Sequence, residues 1–179
     1  MKRILIICFA IVIAVQLNAQ FTKSNITGTG LTCAMCSSNA INKALQAKPF
    51  IQSVRADIEN SAFHIIFKEN TDVDVDDLRK AVEDAGFAIG SLKMTGNFNE
   101  VKIGNDVHVQ IGSRHFHFLN VSDQVLNGEQ TITIIDKDFD RETVQKYSET
   151  TKMKCLVSGK AGSCCPGAVA GTRYIHATI

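Results

Sequence analysis

The chain has 179 residues, with 19 basic and 18 acidic side chains that leave a formal net charge of +1 at pH 7. This balance provides no bulk attraction for nucleic acid or for an anionic membrane surface, so neither is expected as a partner. After removal of the leader described next, about 160 residues would remain, which is enough for one domain or two small ones.

The first 19 residues have the layout of a secretory signal peptide. Residues 1–3 form a basic head, residues 4–15 are almost entirely apolar, and Ala19 is a small residue at the expected cleavage point. An apolar core of about 12 residues is short for a membrane span, which needs roughly 20, and an uncleaved anchor is the alternative. We therefore expect residues 1–19 to be removed, leaving an exported, periplasmic protein with no membrane attachment.

The cysteine count favours chemistry over a structural framework. Of six cysteines, one lies in the leader, and five would remain after cleavage: Cys33, Cys36, Cys155, Cys164 and Cys165. Export would bring them into a compartment in which disulfides can form. Because five is odd, at least one thiol stays unpaired or pairs with another chain.

A CxxC motif lies where a predicted strand gives way to a predicted helix. Residues 30–36 read Gly-Leu-Thr-Cys-Ala-Met-Cys, between an extended segment at 21–29 and a helical pattern at 36–47. The positive end of a helix stabilises thiolate over thiol, and thiolate is the form that binds soft metal ions. Cys33 and Cys36 are therefore the main candidate metal ligands.

The elements that follow predict a βαββαβ order. An acidic run at 72–77 suits a helix start, and it lacks the glycine and the distal glutamate of a calcium-binding loop. Gly86 would end that helix. The remaining predicted strands of this half are 51–58, 62–67 and 87–92. This order is typical of a ferredoxin-like sandwich, an α+β fold with two helices on one face of a four-stranded sheet.

Residues 21–93 resemble the heavy-metal-associated domain of copper chaperones, copper-ATPase N-terminal modules and periplasmic mercury-binding proteins. The loop of that family usually reads Gly-Met-Thr-Cys-x-x-Cys, and residues 30–36 depart from it only at Leu31. Ser-Val-x-x-Asp at 53–57 and Ala-Gly-Phe at 85–87 match two further landmarks of the family. The resemblance covers somewhat less than half of the chain.

The resemblance implies specific roles for residues of the loop. Cys33 and Cys36 would be the metal ligands, in an exposed position. Leu31 would pack under the loop in place of a methionine, a mild change in shape. Thr32 would help to shape the loop, and Phe87 would lie close beneath it.

Two thiolates without an obligatory third ligand suit a soft ion that accepts low coordination. Copper(I) is favoured, mercury(II) also fits, and zinc is a further alternative although its structural sites prefer four ligands. Met35 is interpreted as an exposed or packing residue and not as a thioether ligand. The resemblance further implies that the ion is handed to an acceptor, such as a metal-transporting ATPase, by ligand exchange.

Two alternatives from other classes remain open. CxxC at a helix start is also the arrangement of thiol–disulfide oxidoreductases. Against that reading, no tryptophan precedes Cys33 and the spacer is Ala-Met. The second alternative is a recognition adaptor that merely carries the fold. A structural Cys33–Cys36 disulfide could coexist with metal binding or with redox chemistry. No Ser-His-acid set, phosphate-binding glycine loop or HExxH pattern is present, so an enzyme is not expected.

The second half is predicted to be a separate, mostly β domain. Residues 94–97 are interpreted as a joint, which divides the chain into domains at 21–94 and 98–179. One helix is predicted at 138–150, and the strands predicted in this half are 100–103, 107–111, 115–119, 129–136, 155–157 and 173–177. Many strands with one late helix favour a small antiparallel sandwich or an OB-like barrel.

Secondary candidate ligands lie in this half. His115 and His117 alternate with two phenylalanines, so both imidazoles would face one side of a strand and could bind copper(II) or zinc. The alternative is that they lie on the solvent face of a half-buried strand. Cys155, Cys164 and Cys165 predict either a disulfide from Cys155 to one of the adjacent pair or a second soft-metal site, and both remain open.

Overall fold

The computed structural model describes residues 19–29, 34–136, 141–165 and 168–179. The predicted signal peptide lies outside these residues, except for Ala19, which begins the first strand. In chain order the elements are β1 (Ala19–Thr29), α1 (Ala34–Gln46), β2 (Ile51–Asp57), β3 (Ala62–Phe67), α2 (Val75–Asp84), β4 (Ala88–Ile103), β5 (Val107–Ile111), β6 (Arg114–Phe118), β7 (Gln124–Ile134), α3 (Arg141–Ser148), α4 (Cys155–Ser158) and β8 (Tyr174–Thr178).

The first six elements have the predicted βαββαβ order. Strands β2, β3, β1 and β4 are neighbours in that order and pair antiparallel, as expected of a ferredoxin-like unit. The bounds of β3 are those predicted, and α1 begins two residues before the predicted start, at Ala34 instead of Cys36. The ferredoxin-like part of the predicted fold is therefore confirmed.

The two helices of this unit bury apolar stripes. Buried helical side chains recur at a spacing of three or four residues, which is the pattern of one helix face. They pack in one core with the side chains of β1 and β3, and the members that are almost fully buried include Ile41, Leu45, Leu78, Val82, Ile26, Phe63 and Ile65. At about 25 cal/mol per Å² of apolar area, this burial is the main stabilising term of the unit.

The acidic run before α2 caps the helix, as predicted. The Asp74 carboxylate accepts hydrogen bonds from the backbone N–H groups of Asp76 (2.9 Å) and Asp77 (3.2 Å). Both of those residues lie in the first turn, where negative charge interacts favourably with the helix dipole. Gly86 follows the helix with φ +88°, a backbone conformation that favours glycine.

The segment predicted to join two domains lies inside one strand. β4 runs for 16 residues, and residues 94–97 are in its middle, paired with β1 on one side and β7 on the other. Gly96 serves close packing here, because a Cβ at this position would lie 2.8 Å from the carbonyl oxygen of Gln20. The division at 94–98 stays a prediction, but both halves contribute strands to one sheet.

The predicted OB-like barrel is wrong. The eight strands form an open sheet in the order β2-β3-β1-β4-β7-β8-β6-β5, with β2 and β5 at its edges. β7 pairs antiparallel with β4 and extends the first unit's sheet, so the added strands continue outward from it. The late strand β8 inserts between β7 and β6, and it pairs parallel with β6.

The predicted strand at 155–157 is a short helix, α4. Its Cys155 and Leu156 are buried while Val157 is 70% exposed, which is the one-sided burial of a helical turn. Gly159 ends the turn with φ 68°, and its N–H donates to the carbonyl oxygen of Cys155 at 2.7 Å. Three apolar residues are too few for periodicity to distinguish a strand from a helical turn.

Ion pairs connect the start of α2 to the strands of the second half. Arg114, the first residue of β6, approaches Asp74 at 2.8 Å and Asp72 at 3.2 Å. Arg173, just before β8, donates to Asp76 at 2.9 Å and to Asp136. These partly buried contacts connect the start of α2 directly with residues of the second half.

In the part of the chain that the structure describes, no helix is long and apolar enough to cross a membrane.

Candidate metal sites

The predicted loop site lies at the start of α1. Thr29 ends β1 and Ala34 begins α1, so Cys36 is in the first turn of a 13-residue helix. Cys33, Leu31 and Thr32 lie outside the described residues, and only the backbone of Cys36 is described. A first-turn position is where unpaired backbone N–H groups and the helix dipole favour a thiolate.

Phe87 lies at the same end of the sheet as this loop. Thr29 pairs with Ala88 at the end of β1, so the residue before Ala88 is at the end where the chain leaves β1. Phe87 is half-buried and packs against the main core, and its N–H donates to the carbonyl oxygen of Val82 at 3.2 Å. The position of Phe87 beneath the loop stays a prediction, because residues 30–33 lie outside the described residues.

A second group of ligand-type side chains lies in the far half of the sheet. His108 on β5 pairs directly with His117 on β6, and His117 pairs with His176 on β8. Side chains of directly paired residues are on the same face of a sheet. The three imidazoles therefore form a row across three strands, with ring centroids 4.4 Å apart for His108 and His117 and 5.2 Å for His117 and His176.

Two cysteines complete this group. Helix α4 places Cys155 against the histidine row, with its Sγ 3.5 Å from Nδ1 of His117. The ligand atoms of His117, Cys155 and His176 lie within 4.8 Å of one another, and so do those of His108, Cys155 and Cys165. We call these five residues the His/Cys cluster. Cys155 belongs to both sets and is its centre.

Carboxylates accept hydrogen bonds from two of the imidazoles. Oδ1 of Asp106 lies 3.1 Å from Nε2 of His117, and Oδ1 of Asp136 lies 3.4 Å from Nδ1 of His176. A carboxylate accepts a hydrogen bond and does not donate one, so each partner nitrogen carries the proton. The other nitrogen of each ring, Nδ1 of His117 and Nε2 of His176, then has a free lone pair.

The cluster is dry. His117 and His176 have no exposed surface, and Cys155 and Cys165 are 1% and 4% exposed. Burial, and then the neighbouring imidazoles of His176 and His108, lowers the pKa of His117 to about 4, although Asp106 acts in the opposite direction. Burial, followed by the neighbouring thiols, raises the pKa of Cys155. Without a metal, the His117 imidazole is therefore neutral and the Cys155 thiol protonated at neutral pH.

The structure separates the residues that the sequence grouped together. His117 is buried and Cys155 of α4 lies against it, so the alternative in which His117 faces solvent is wrong. His115 is half-buried and its ring lies 5.4 Å from that of Tyr174, outside both ligand sets. Cys164 is also outside both sets, with its Sγ 3.6 Å from Sγ of Cys165.

Cys155, Cys164 and Cys165 are free thiols in this structure. The predicted disulfide from Cys155 is therefore not formed here, and it remains the alternative for an oxidised protein. Burial acts to raise the pKa of Cys164, but hydrogen bonds from the backbone of Cys155 and from the Cys165 side chain outweigh it and lower the pKa.

Sequence reasoning missed His176 and the two carboxylates. His108 lies within the predicted strand 107–111, but the register that pairs it with another histidine depends on contacts distant in sequence. His176 is 59 residues from His117 in sequence and pairs with it through a parallel ladder. The one available signal was its predicted strand at 173–177, which places Tyr174 and His176 on one face.

Similar solved structures match only part of the chain. A CopZ metallochaperone is 22% identical, with 38% of this chain and 98% of that chain covered and a TM-score of 0.34. A copper-binding domain from HMA7, a P-type ATPase, is 28% identical, with 38% and 92% covered and a TM-score of 0.34. The N-terminal domain of a potential copper-translocating P-type ATPase from Bacillus subtilis is 21% identical, with 39% and 85% covered and a TM-score of 0.35.

No family model matches the chain, and no curated protein matches it significantly. The similarity to heavy-metal-associated domains is thus a similarity of one segment, somewhat under two-fifths of the chain.

Proposed function

We propose that this protein captures a soft metal ion, copper(I) foremost, through the thiolates of Cys33 and Cys36. The observation that carries the proposal is the start of α1 at Ala34, which puts a CxxC motif across the N-terminus of the first helix of a βαββαβ unit. Two thiolates beside a positive helix end suit a large, polarisable cation that accepts two ligands. Mercury(II) fits the same ligands, and zinc suits them less well.

A competition titration tests this proposal. The reduced protein is titrated with copper(I) against a colorimetric copper(I) chelator, and the Cys33→Ser/Cys36→Ser variant is titrated in parallel. Loss of both ligands should weaken this binding by more than about 100-fold, since even the loss of a group that hydrogen-bonds a ligand costs 10–100-fold. Cys164→Ser is the matched control and should leave the affinity unchanged. Equal affinity together with equal copper(I) stoichiometry of the double variant and the wild type would refute the assignment.

We also propose that the protein is exported and passes its ion to an acceptor, such as a metal-transporting ATPase. A two-thiolate site leaves room for an incoming thiol, so the ion can change partners without being released free. In an oxidising compartment the loop must be kept reduced or be loaded quickly, because a Cys33–Cys36 disulfide binds no metal. The three similar structures reported above are metallochaperone or copper-ATPase domains, which agrees with this role and not with that of an oxidoreductase.

Delivery has its own experiment. The copper(I)-loaded protein is mixed without oxygen with an apo copper-ATPase N-terminal domain, and the two are separated by ion exchange before metal analysis. Copper should appear on the acceptor within the time of mixing. Copper that stays on the donor when the acceptor is in tenfold excess would indicate storage instead of delivery.

A further inference from the structure

We propose that the His/Cys cluster is a second metal centre, in which His117, His176 and Cys155 bind a zinc or copper ion and Cys165 or His108 supplies the fourth ligand. This centre does not use Cys33 or Cys36, so its test is independent of the proposed function.

The first argument is the direction of the free lone pairs. Asp106 accepts the Nε2 proton of His117, which leaves Nδ1 facing the Cys155 sulfur at 3.5 Å. Asp136 accepts the Nδ1 proton of His176, which leaves Nε2 with a free lone pair and no hydrogen-bond partner. A ligating histidine usually donates its other N–H to a carboxylate or carbonyl, and two of these three ligands have that partner.

The second argument is the set of buried nitrogens without partners. Among the described residues, Nε2 of His176 and Nε2 of His108 are buried and make no hydrogen bond. A buried polar atom without a partner costs roughly 1–3 kcal/mol, so each of these two nitrogens needs a physical explanation. A metal ion bound by His176, with His108 as its fourth ligand, would give each nitrogen the partner that it lacks.

The third argument is the size and chemistry of the site. A tetrahedral ion with bonds of about 2.0–2.3 Å holds nitrogen and sulfur ligands roughly 3.3–3.8 Å apart. The atoms of each three-residue set are within 4.8 Å of one another, so either set needs only a small contraction, and the fourth ligand would come from the other set, which shares Cys155. Imidazole and thiolate together select zinc or copper over magnesium or calcium, which prefer oxygen ligands.

Each thiol that becomes a ligand releases one proton, so binding releases one proton with His108 as the fourth ligand and two with Cys165. In the free protein the Cys155 S–H donates to Nδ1 of His117. The metal–sulfur bond forms as the S–H bond breaks, and the proton goes to solvent, so uptake is accompanied by acidification. No electron is transferred and no co-reactant is needed.

Cobalt(II) is the probe for the test, because a tetrahedral site with a thiolate ligand gives strong visible bands and a sulfur-to-metal charge-transfer band. The Cys33→Ser/Cys36→Ser variant is used under reducing conditions, so the loop contributes nothing. We expect one equivalent of cobalt(II), a charge-transfer band, and displacement by zinc or copper(I), whichever binds more tightly. No binding, or binding without the charge-transfer band, would overturn the proposal.

Single variants in the same background locate the ligands. Cys155→Ser and His176→Gln should weaken cobalt(II) binding by at least about 100-fold, more than the loss of a group that only hydrogen-bonds a ligand. The matched controls, Cys164→Ser and His115→Ala, lie beside the cluster and should leave the affinity unchanged. Near-UV circular dichroism checks that each variant is folded. If the controls weaken binding as much as the ligand variants do, the assignment is wrong.

Discussion

His117 Nδ1 and Cys155 Sγ lie 3.5 Å apart, although 38 residues separate them in sequence. His117 is on β6 and Cys155 is on the short helix α4, and both residues are buried. The contact joins a neutral imidazole to a protonated thiol, which is the arrangement that a zinc or copper ion would replace. The following predictions test this centre and the sheet that carries it.

Removing a supporting carboxylate should weaken the second centre without abolishing it. In Asp136→Asn, the amide can no longer act as a charged acceptor for Nδ1 of His176. We expect a 10–100-fold loss of cobalt(II) or zinc affinity, measured in the Cys33→Ser/Cys36→Ser background. Asp84→Asn removes an exposed carboxylate that pairs with Lys80, and it should have no effect. Unchanged affinity of Asp136→Asn would argue that His176 is not a ligand.

Metal binding at the cluster should stabilise the fold. Zinc at 100 times its dissociation constant adds about 2.7 kcal/mol to the free energy of unfolding. For a domain of this size that should raise the melting temperature by about 5–10 °C. Calorimetry of the Cys33→Ser/Cys36→Ser variant with zinc, and again after a chelator, measures the shift. A melting temperature that does not respond to zinc would contradict a buried site.

The metal-free protein should lose stability in mild acid. The pKa of His117 is about 4 when folded and about 6.5 when unfolded, so below pH 6.5 the unfolded state binds more protons. Stability should therefore be full above pH 6.5 and fall as the pH decreases toward 4, by roughly 1–3 kcal/mol. Chemical denaturation between pH 7 and 4 measures this slope, and His117→Gln should flatten it. An equal slope in the variant would place the titrating group elsewhere.

The shared sheet predicts cooperative unfolding of the two halves. Phe98 is 2% exposed and packs edge-on against Phe21, at 6.2 Å between ring centroids. Phe98→Ala should lower the free energy of unfolding by about 3–5 kcal/mol, whereas Ile66→Ala, at a 46% exposed site, should cost much less. Tyrosine fluorescence reports only on the second half, since Tyr147 and Tyr174 are the chain's tyrosines. Its transition should coincide with that of far-UV circular dichroism, and two separate transitions would indicate independent domains.

The first unit was predictable because its signals are local. The helical spacing of Ile41 and Leu45, the cap at Asp74 and the glycine at 86 act within a few residues of where they stand. Most of its element bounds were predicted to within two residues. The continuation of β4 was missed because Gly96 resembles a joint in sequence, whereas it is close packing against Gln20 that requires a glycine there.

The sequence predicted only part of the second site. Alternation placed His117 on a defined face of its strand, and the cysteines of the second half suggested thiol chemistry. Which histidines meet is decided by strand register across β5, β6 and β8, and that register is fixed by contacts distant in sequence. The sequence therefore indicated which residue types could bind metal, but it did not indicate which of these residues lie together.

The most direct test of the central claim is the copper content of the protein isolated without oxygen from the compartment in which it resides. The wild type and the Cys33→Ser/Cys36→Ser variant are purified side by side and analysed for metal, with Cys164→Ser as control. We predict that the wild type and the control carry one more copper ion per chain than the double variant. Equal copper in the wild type and the double variant would contradict capture by Cys33 and Cys36.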